Sequence, residues 1–337
     1  MKKKILSVIQ YLFFLLIGLV LLWLVFRKIE VKDVAAEIRA AKYEWLLLSI
    51  LLGVFSHIAR AMRWNILIRS MGYKTDTQTT FYAVMVGYMA NTAFPRLGEV
   101  TRCGMLSKKK SIPFNALFGT VISERVFDMI ILVFIMVAVI LLQLGMLSAF
   151  VHKYIISYLT GIANRDNLIM AIILLILVII LPLMLFRIFF HRIRKLHVYN
   201  KVIDFLRGLL DGIRTIMKIK QKWSFLGLTL VIWTLYTLMT YTAFFALEAT
   251  SGLSLIDAIT VMSLGSLGMV APVPGGLGAY QFIVKAILTE IFLIPSEPAV
   301  SYSIILWTAQ SAMIIVLGTL SYYILVFKKT KKSYDYA

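Results

Sequence analysis

Eight charged side chains interrupt apolar stretches of the sequence, and their chemistry suits the binding of an anion. They are Arg60 and Arg63 in HIARAMRW (57–64), Arg96, Glu99 and Arg102 in AFPRLGEVTR (93–102), and Glu124, Arg125 and Asp128 in ISERVFDMI (122–130). Arginine presents planar, bidentate donors that match the oxygens of a phosphate. A neighbouring carboxylate can act as a counterion or a proton carrier. Because each ionisable group deep in a membrane costs at least ~2.5 kcal/mol, such groups are usually paired or functional.

Helical spacing brings several of these side chains together, but it leaves their roles open. Glu124 and Asp128 are four residues apart and share a helix face, and Arg125 and Asp128 can pair at a spacing of three. These groups favour a function, with an internal salt bridge between helices as the alternative. Arg60 and Arg63 also share a face; each could contact a phosphate, and Arg63 could equally be an anchor at the membrane surface.

A second broken stretch, APVPGGLGAYQ (271–281), would contact an anion through backbone N–H groups rather than through charged side chains. Its candidate residues for contacting a substrate are Pro274, Gly275, Gly276, Gly278, Tyr280 and Gln281. The helix that this stretch opens has N–H groups without partners in the first turn, and such a terminus attracts anions. Together with the arginines, it predicts an electropositive pocket in the membrane whose ligand is anionic and carries lipid tails.

The elements that position these residues are membrane helices. Of the 337 residues, 61% are hydrophobic, and the mean hydropathy is +0.88. Runs of about 20 apolar residues are long enough to cross a bilayer as helices, which excludes a soluble protein. The sequence predicts an all-α polytopic membrane protein in one domain over 1–337. Its six full spans cover about 5–26, 45–62, 114–142, 168–190, 223–247 and 300–327.

Two further apolar stretches are too short or too interrupted to be full spans. We expect 79–95 with the following RLGEVTR, and 257–292 around VPG, to be re-entrant broken helices. With the N-terminus inside, 26 of the 35 Lys and Arg then lie on the cytoplasmic side, a bias that orients membrane proteins. Both termini should therefore be cytoplasmic, and the protein is expected in the cytoplasmic (inner) membrane. The net charge of +19 then points to anionic lipid rather than to nucleic acid, and 196–222 is predicted to be an interfacial helix.

The order of spans and breaks predicts an inverted repeat. The halves, about 45–142 and 223–327, have the same pattern but opposite orientations, and their breaks share letters, PRLGE against PGGLGA. Paired discontinuous helices in inverted halves indicate a transport site near the bilayer midplane. Simple kinks at Pro and Gly are the alternative.

Four motifs in order resemble a known family. RAMRW (60–64), PRLGEVTR (95–102), SERVFD (123–128) and PVPGGLGAYQ (272–281) are similar to the transmembrane domain of lysylphosphatidylglycerol synthases, over about residues 5–327. The resemblance implies lipid translocation. It also implies that the family's signature positions are matched by Arg96, Glu99, Arg102, Glu124, Arg125, Asp128, Pro274, Gly275, Gly276 and Gly278. Gln281 stands where the family often has Glu, and no aminoacyl-transferase domain follows the last span, so the chain is not expected to be a synthase.

The expected function is therefore a flippase or scramblase for an anionic phospholipid or a lipid-linked phosphate, without catalytic residues, metal or cofactor. The sequence contains no GxxxxGK[ST] motif, so ATP-driven transport by this chain is excluded. An intramembrane transferase acting on a lipid phosphate is one alternative, although the four histidines have no metal-binding spacing. A non-catalytic subunit of a lipid-processing complex is the other. A lipid-synthesis enzyme as partner and a homo-oligomer are left open.

Overall fold

The structure is a computed structural model that describes residues 2–27, 29–95, 97–143 and 219–327, with side chains from residue 11 onward. All regular structure in these residues is helical. The α-helices are α1 Lys2–Phe26, α2 Val31–Ala40, α3 Tyr43–Ser70, α4 Thr77–Ala93, α5 Leu97–Lys110, α6 Phe114–Leu142, α7 Lys222–Phe244, α8 Leu255–Val270, α9 Ala279–Ala286 and α10 Ser296–Phe327.

Four of these helices, α3, α6, α7 and α10, are long and apolar enough to cross a membrane. They correspond to four of the six predicted spans. A fifth span results if Tyr11–Phe26 of α1 and the whole of α2, which differ in direction by 87°, are counted together. The sequence analysis did not predict α2, which lies between the first two predicted spans. The remaining predicted span, 168–190, lies outside the described residues. The predicted interfacial helix also lies outside them, apart from residues 219–222.

The chain divides into two compact units, Met1–Arg125 with Ile216–Ala337, and Val126–Thr215. In the first unit, α3 packs along α7, and α4 packs against α5, α3 and α10. An apolar core between α7, α8, α9 and α10 includes Phe244, Val261, Val284 and Tyr302. In the second unit, the described part is the remainder of α6 and Gln143, and large apolar side chains such as Phe134 are exposed, as lipid-facing residues are.

The first predicted break separates α4 from α5, and the two helices fold back on each other. Pro95, which has no N–H to continue a helix, lies in the break. Gly98 packs directly against the backbone of Gly87, where any Cβ on Gly98 would overlap it. At the other ends of the two helices, Lys110 Nζ and Asp76 Oδ2 form an ion pair of 2.6 Å. The start of α4 and the end of α5 therefore lie close together.

The second predicted break separates α8 from α9 and also reverses the chain. Gly268 of α8 lies against the backbone of Tyr280 of α9. Gly275, Gly276 and Gly278 all have positive φ, which favours glycine, and they form the turn. Trp307 of α10 donates its indole N–H to the Gly275 carbonyl at 2.8 Å and fixes the turn in place.

The two breaks lie close to each other in the first unit. The nearest backbone to Gly275 outside its own turn belongs to Thr92, near the end of α4. The shared Leu-Gly letters also have a structural meaning, because α5 begins at Leu97 and α9 begins directly after Gly278. The local conformations differ, since Gly98 lies inside its helix whereas Gly278 precedes its helix with a φ of 77°.

Candidate functional site

Three guanidinium groups converge on one buried carboxylate. Glu124 Oε1 accepts hydrogen bonds from Arg60 Nη1 at 2.8 Å and from Arg63 Nη2 at 3.0 Å. Glu124 Oε2 accepts one from Arg102 Nη2 at 3.1 Å. The Glu124 side chain is 0% exposed, and the three arginine side chains are at most 4% exposed. The structure thus brings together four of the predicted site residues from three separate motifs.

Helical spacing and aromatic rings place the three arginines. Arg60 and Arg63 are three residues apart on α3, so both reach the same point of α6. The Arg102 guanidinium lies 4.7 Å from the ring centre of Trp64, and the Arg63 guanidinium lies 5.3 Å from that of Phe225. Such cation–π contacts are strongest where water is excluded. The arginines are therefore held by packing as well as by charge.

Cations outnumber acids among the described residues around Glu124. Three guanidiniums there pair with one carboxylate. The neighbouring Glu99–Arg125 pair adds one charge of each sign. In the low dielectric of a protein interior, guanidinium groups attract an anion strongly.

A second ion pair lies beside the first and is more accessible. Arg125 follows Glu124 on α6, and its Nη2 lies 3.0 Å from Glu99 Oε1 on α5. The Arg125 side chain is 40% exposed and that of Glu99 is 23% exposed. This pair therefore contacts the surroundings of the protein, whereas the Glu124 cluster does not.

A narrow pocket lies beside both groups. It is lined by one stripe of α4, by α5 and by α6, with the residues Val84, Gly87, Tyr88, Asn91, Gly98, Arg102 and Arg125. Buried atoms at this pocket lack hydrogen-bond partners among the described residues: Nε of Arg102, Nε of Arg125 and Oε2 of the adjacent Glu99. The guanidiniums of Arg102 and Arg125 thus each have an unused N–H donor where an anion could bind.

The remaining predicted residues have other positions. Arg96 lies outside the described residues, and Asp128 lies one turn after Glu124 on α6. Pro274, Gly275, Gly276, Gly278 and Tyr280 build the turn between α8 and α9 and its contact with α8. Gln281 is buried, and its Oε1 accepts the Gly278 N–H at 2.8 Å. Because Gly278 also packs against the carbonyl of Gly18 in α1, the start of α9 is enclosed by protein.

Sequence reasoning missed several residues that hold the site. Tyr236 and Thr229 of α7 contact Arg60 and Arg63 through their hydroxyl groups, each at 3.1 Å. They are seven residues apart and hence on one helix face, a spacing that could have revealed them. Thr237 and Thr240 of the same helix donate to carbonyls of α7 itself. Asn91 was missed as well; its Oδ1 accepts the Gly98 N–H at 2.7 Å.

Comparisons with known proteins agree with the membrane character of the chain. A family model described as "Lysylphosphatidylglycerol synthase TM region" matches residues 11–318. The UPF0104 membrane protein MJ1595 of Methanocaldococcus jannaschii is 32% identical over 94 residues, which cover 27% of this chain and 28% of that protein. The match thus spans less than a third of this curated relative. No solved structure shows a significant match to the chain.

Proposed function

Since the chain belongs to the lysylphosphatidylglycerol synthase transmembrane family, we propose that it moves an anionic phospholipid or a lipid-linked phosphate across the membrane. The family places the chain among membrane proteins of lipid metabolism. In the proposal, the headgroup phosphate binds in the pocket lined by Arg102 and Arg125 and is attracted by their guanidinium charges. The lipid tails stay in the bilayer beside the exposed apolar faces of the helices.

The unused arginine donors at the pocket are the observation that carries this proposal. Arg102 and Arg125 each have a buried Nε without a hydrogen-bond partner among the described residues. Buried polar groups are nearly always hydrogen-bonded, so two such donors beside one pocket indicate a missing acceptor. The oxygens of an anionic headgroup would supply this acceptor, and the guanidinium charges would attract it.

The two broken segments support a transport role. Discontinuous helices at corresponding places of two inverted halves are a common arrangement around transport sites. The α4–α5 and α8–α9 segments both reverse at a break, and the breaks meet near Thr92 and Gly275. We take them as the paired elements of an inverted repeat. The pocket lies on the α4–α5 segment, so in this proposal the first broken segment carries the binding residues. The second break packs against the end of α4 near Thr92.

Transport by this chain would run downhill, be coupled to an ion, or depend on a partner enzyme that makes the lipid. Glu124 is a poor proton carrier in this scheme, because it is fully buried and guanidiniums occupy both of its oxygens. We place the protein in the cytoplasmic membrane with both termini inside, following the distribution of Lys and Arg. A reporter enzyme that works only in the cytoplasm should therefore be active when it is fused to either terminus.

Reconstitution into liposomes tests the proposed function. Vesicles would carry a trace of phosphatidylglycerol with a fluorophore on its tail, and a membrane-impermeant quencher would remove the outer-leaflet signal. With the protein present, we expect the signal to fall well below half, because inner-leaflet lipid reaches the outside. Arg125→Gln and Arg102→Gln should each slow this exchange at least tenfold, as charge-assisted hydrogen bonds are worth about 1.5–3 kcal/mol.

Arg69→Gln is the matched control, since Arg69 is an exposed arginine in the last turn of α3. It should leave the exchange unchanged. Labelled phosphatidylcholine, whose headgroup has no net charge, should move more slowly than phosphatidylglycerol in the wild type. Equal rates for the wild type and both pocket variants would show that the arginines do not bind the transported lipid.

A further inference from the structure

We propose that Glu99 is an internal substitute for the ligand: its carboxylate occupies Arg125 in the empty protein, and an incoming phosphate takes its place. This inference rests on the proposed function and adds to it how the site is filled. The Glu124 carboxylate is assigned a different, permanent role, which is to hold Arg60, Arg63 and Arg102 together. The two acids would thus have separate functions although both pair with arginines.

Exposure distinguishes the two ion-paired acids. Glu124 is 0% exposed and binds three guanidiniums, so an external anion cannot reach it without unpacking the helices. Glu99 is 23% exposed and its partner Arg125 is 40% exposed. Both side chains thus reach the surface of the described structure, and an anion can approach them without any unpacking of the helices. The Glu99–Arg125 pair is therefore the one that a ligand can open at low cost.

Unused hydrogen-bonding atoms show where the phosphate would go. Arg125 uses Nη2 for Glu99, whereas its buried Nε has no described partner. Across the pocket, Arg102 uses Nη2 for Glu124, and its Nε is also buried without a described partner. A guanidinium binds a phosphate best through two parallel N–H groups. If Glu99 withdrew, Arg125 could present such a pair.

The width of the pocket explains why an exchange is needed. The pocket leaves no room for a water molecule beside its lining atoms, so a phosphate can enter only if a side chain moves. Arg102 is fixed by Glu124 and by the ring of Trp64. Glu99 Oε2 has no described partner to hold it. Glu99 is consequently the acid beside the pocket that can withdraw most easily.

Removing the Glu99 charge tests this exchange. The full-length protein in uncharged detergent would be titrated with dihexanoylphosphatidylglycerol, a short-chain lipid, and separately with inorganic phosphate, and Kd would be measured by calorimetry. In Glu99→Gln the competing carboxylate is gone, so we expect the lipid to bind about fivefold more tightly, equivalent to ~1 kcal/mol. Arg125→Gln should weaken binding at least tenfold.

Two further variants keep the outcome interpretable. Asp76→Asn makes the same change of net charge at the exposed pair with Lys110, and Asn still caps α4, so its Kd should equal that of the wild type. Glu99→Asp shortens the carboxylate by one methylene and should also tighten binding, which provides a second reading if Glu99→Gln does not fold.

The results separate this inference from the proposed function. Unchanged Kd values for both Glu99 variants would overturn the exchange, even if lipid translocation in liposomes remained intact. Equal tightening in Asp76→Asn would also overturn it, because general electrostatics would then explain the effect. A Glu99 effect on the Kd of the lipid without any translocation would keep the exchange and refute the transport role. An effect seen with inorganic phosphate alone would overturn the assignment to a lipid headgroup.

Discussion

Replacing Glu124 by Gln should destabilise the protein more than any other single loss of charge among the described site residues. Gln keeps the shape of the side chain but removes the charge that Arg60, Arg63 and Arg102 share. Among the described residues, the three guanidiniums would lose the carboxylate that they share, without any gain of solvent. Breaking a buried ion pair by removing one partner costs about 3–5 kcal/mol.

The effect is measurable as a shift of the apparent melting temperature. At about 2 °C per kcal/mol for a chain of this size, Glu124→Gln should lower it by roughly 6–10 °C. Intrinsic fluorescence in detergent can follow the transition, because the chain has six tryptophans and Trp64 packs on Arg102 inside the cluster. Scans at one fixed rate make the variants comparable when unfolding is irreversible.

Two variants complete this test. Glu124→Gln combined with Arg63→Met removes one buried cation together with the anion, and we expect it to recover about half of the lost stability. Glu99→Gln affects a partly exposed pair and should cost less than about 1 kcal/mol. A Glu124→Gln protein that melts within about 2 °C of the wild type would contradict this account of the cluster. A double variant that melts below the single one would do so too.

Three further predictions concern the breaks and the membrane surface. Gly98→Val should prevent the close packing of α5 on α4, so the protein should aggregate in size-exclusion chromatography, whereas Gly98→Ala should fold poorly but detectably. Trp307→Phe leaves the Gly275 carbonyl without its indole donor and should cost about 1 kcal/mol of stability, seen as a melting temperature about 2 °C lower. Burial raises the pKa of Asp76, but the Lys110 ammonium and the first turn of α4 outweigh burial and lower the pKa to about 2. The stability from Asp76 is thus complete above its usual pKa of 3.8 and is lost as the pH falls towards 2; Asp76→Asn should remove this part of the acid dependence, and an identical acid profile would contradict it.

Local properties of the chain were enough to predict most of the helices and the residues with chemical potential. Apolar runs long enough for a bilayer predicted α3, α6, α7 and α10, because hydrophobic length can be read within one segment. Both breaks were visible for the same reason, since Pro95 and the glycines at 275–278 act on the backbone of their own segment. The motif around Glu124 stood out because charge is rare at such depth. Helix α2 was missed because its short, polar pattern resembles a loop.

Which charges meet depends instead on how the helices pack. Glu124 and Arg125 are neighbours in sequence, yet one is enclosed by three guanidiniums and the other pairs with Glu99 near the surface. Helical spacing indicates that adjacent residues point in directions about 100° apart, but it cannot tell which face is covered. Tyr236 reaches Arg60 only because α7 packs along α3, more than 170 residues away in sequence. The roles of the acids depend on burial, and burial is a property of the assembled helices.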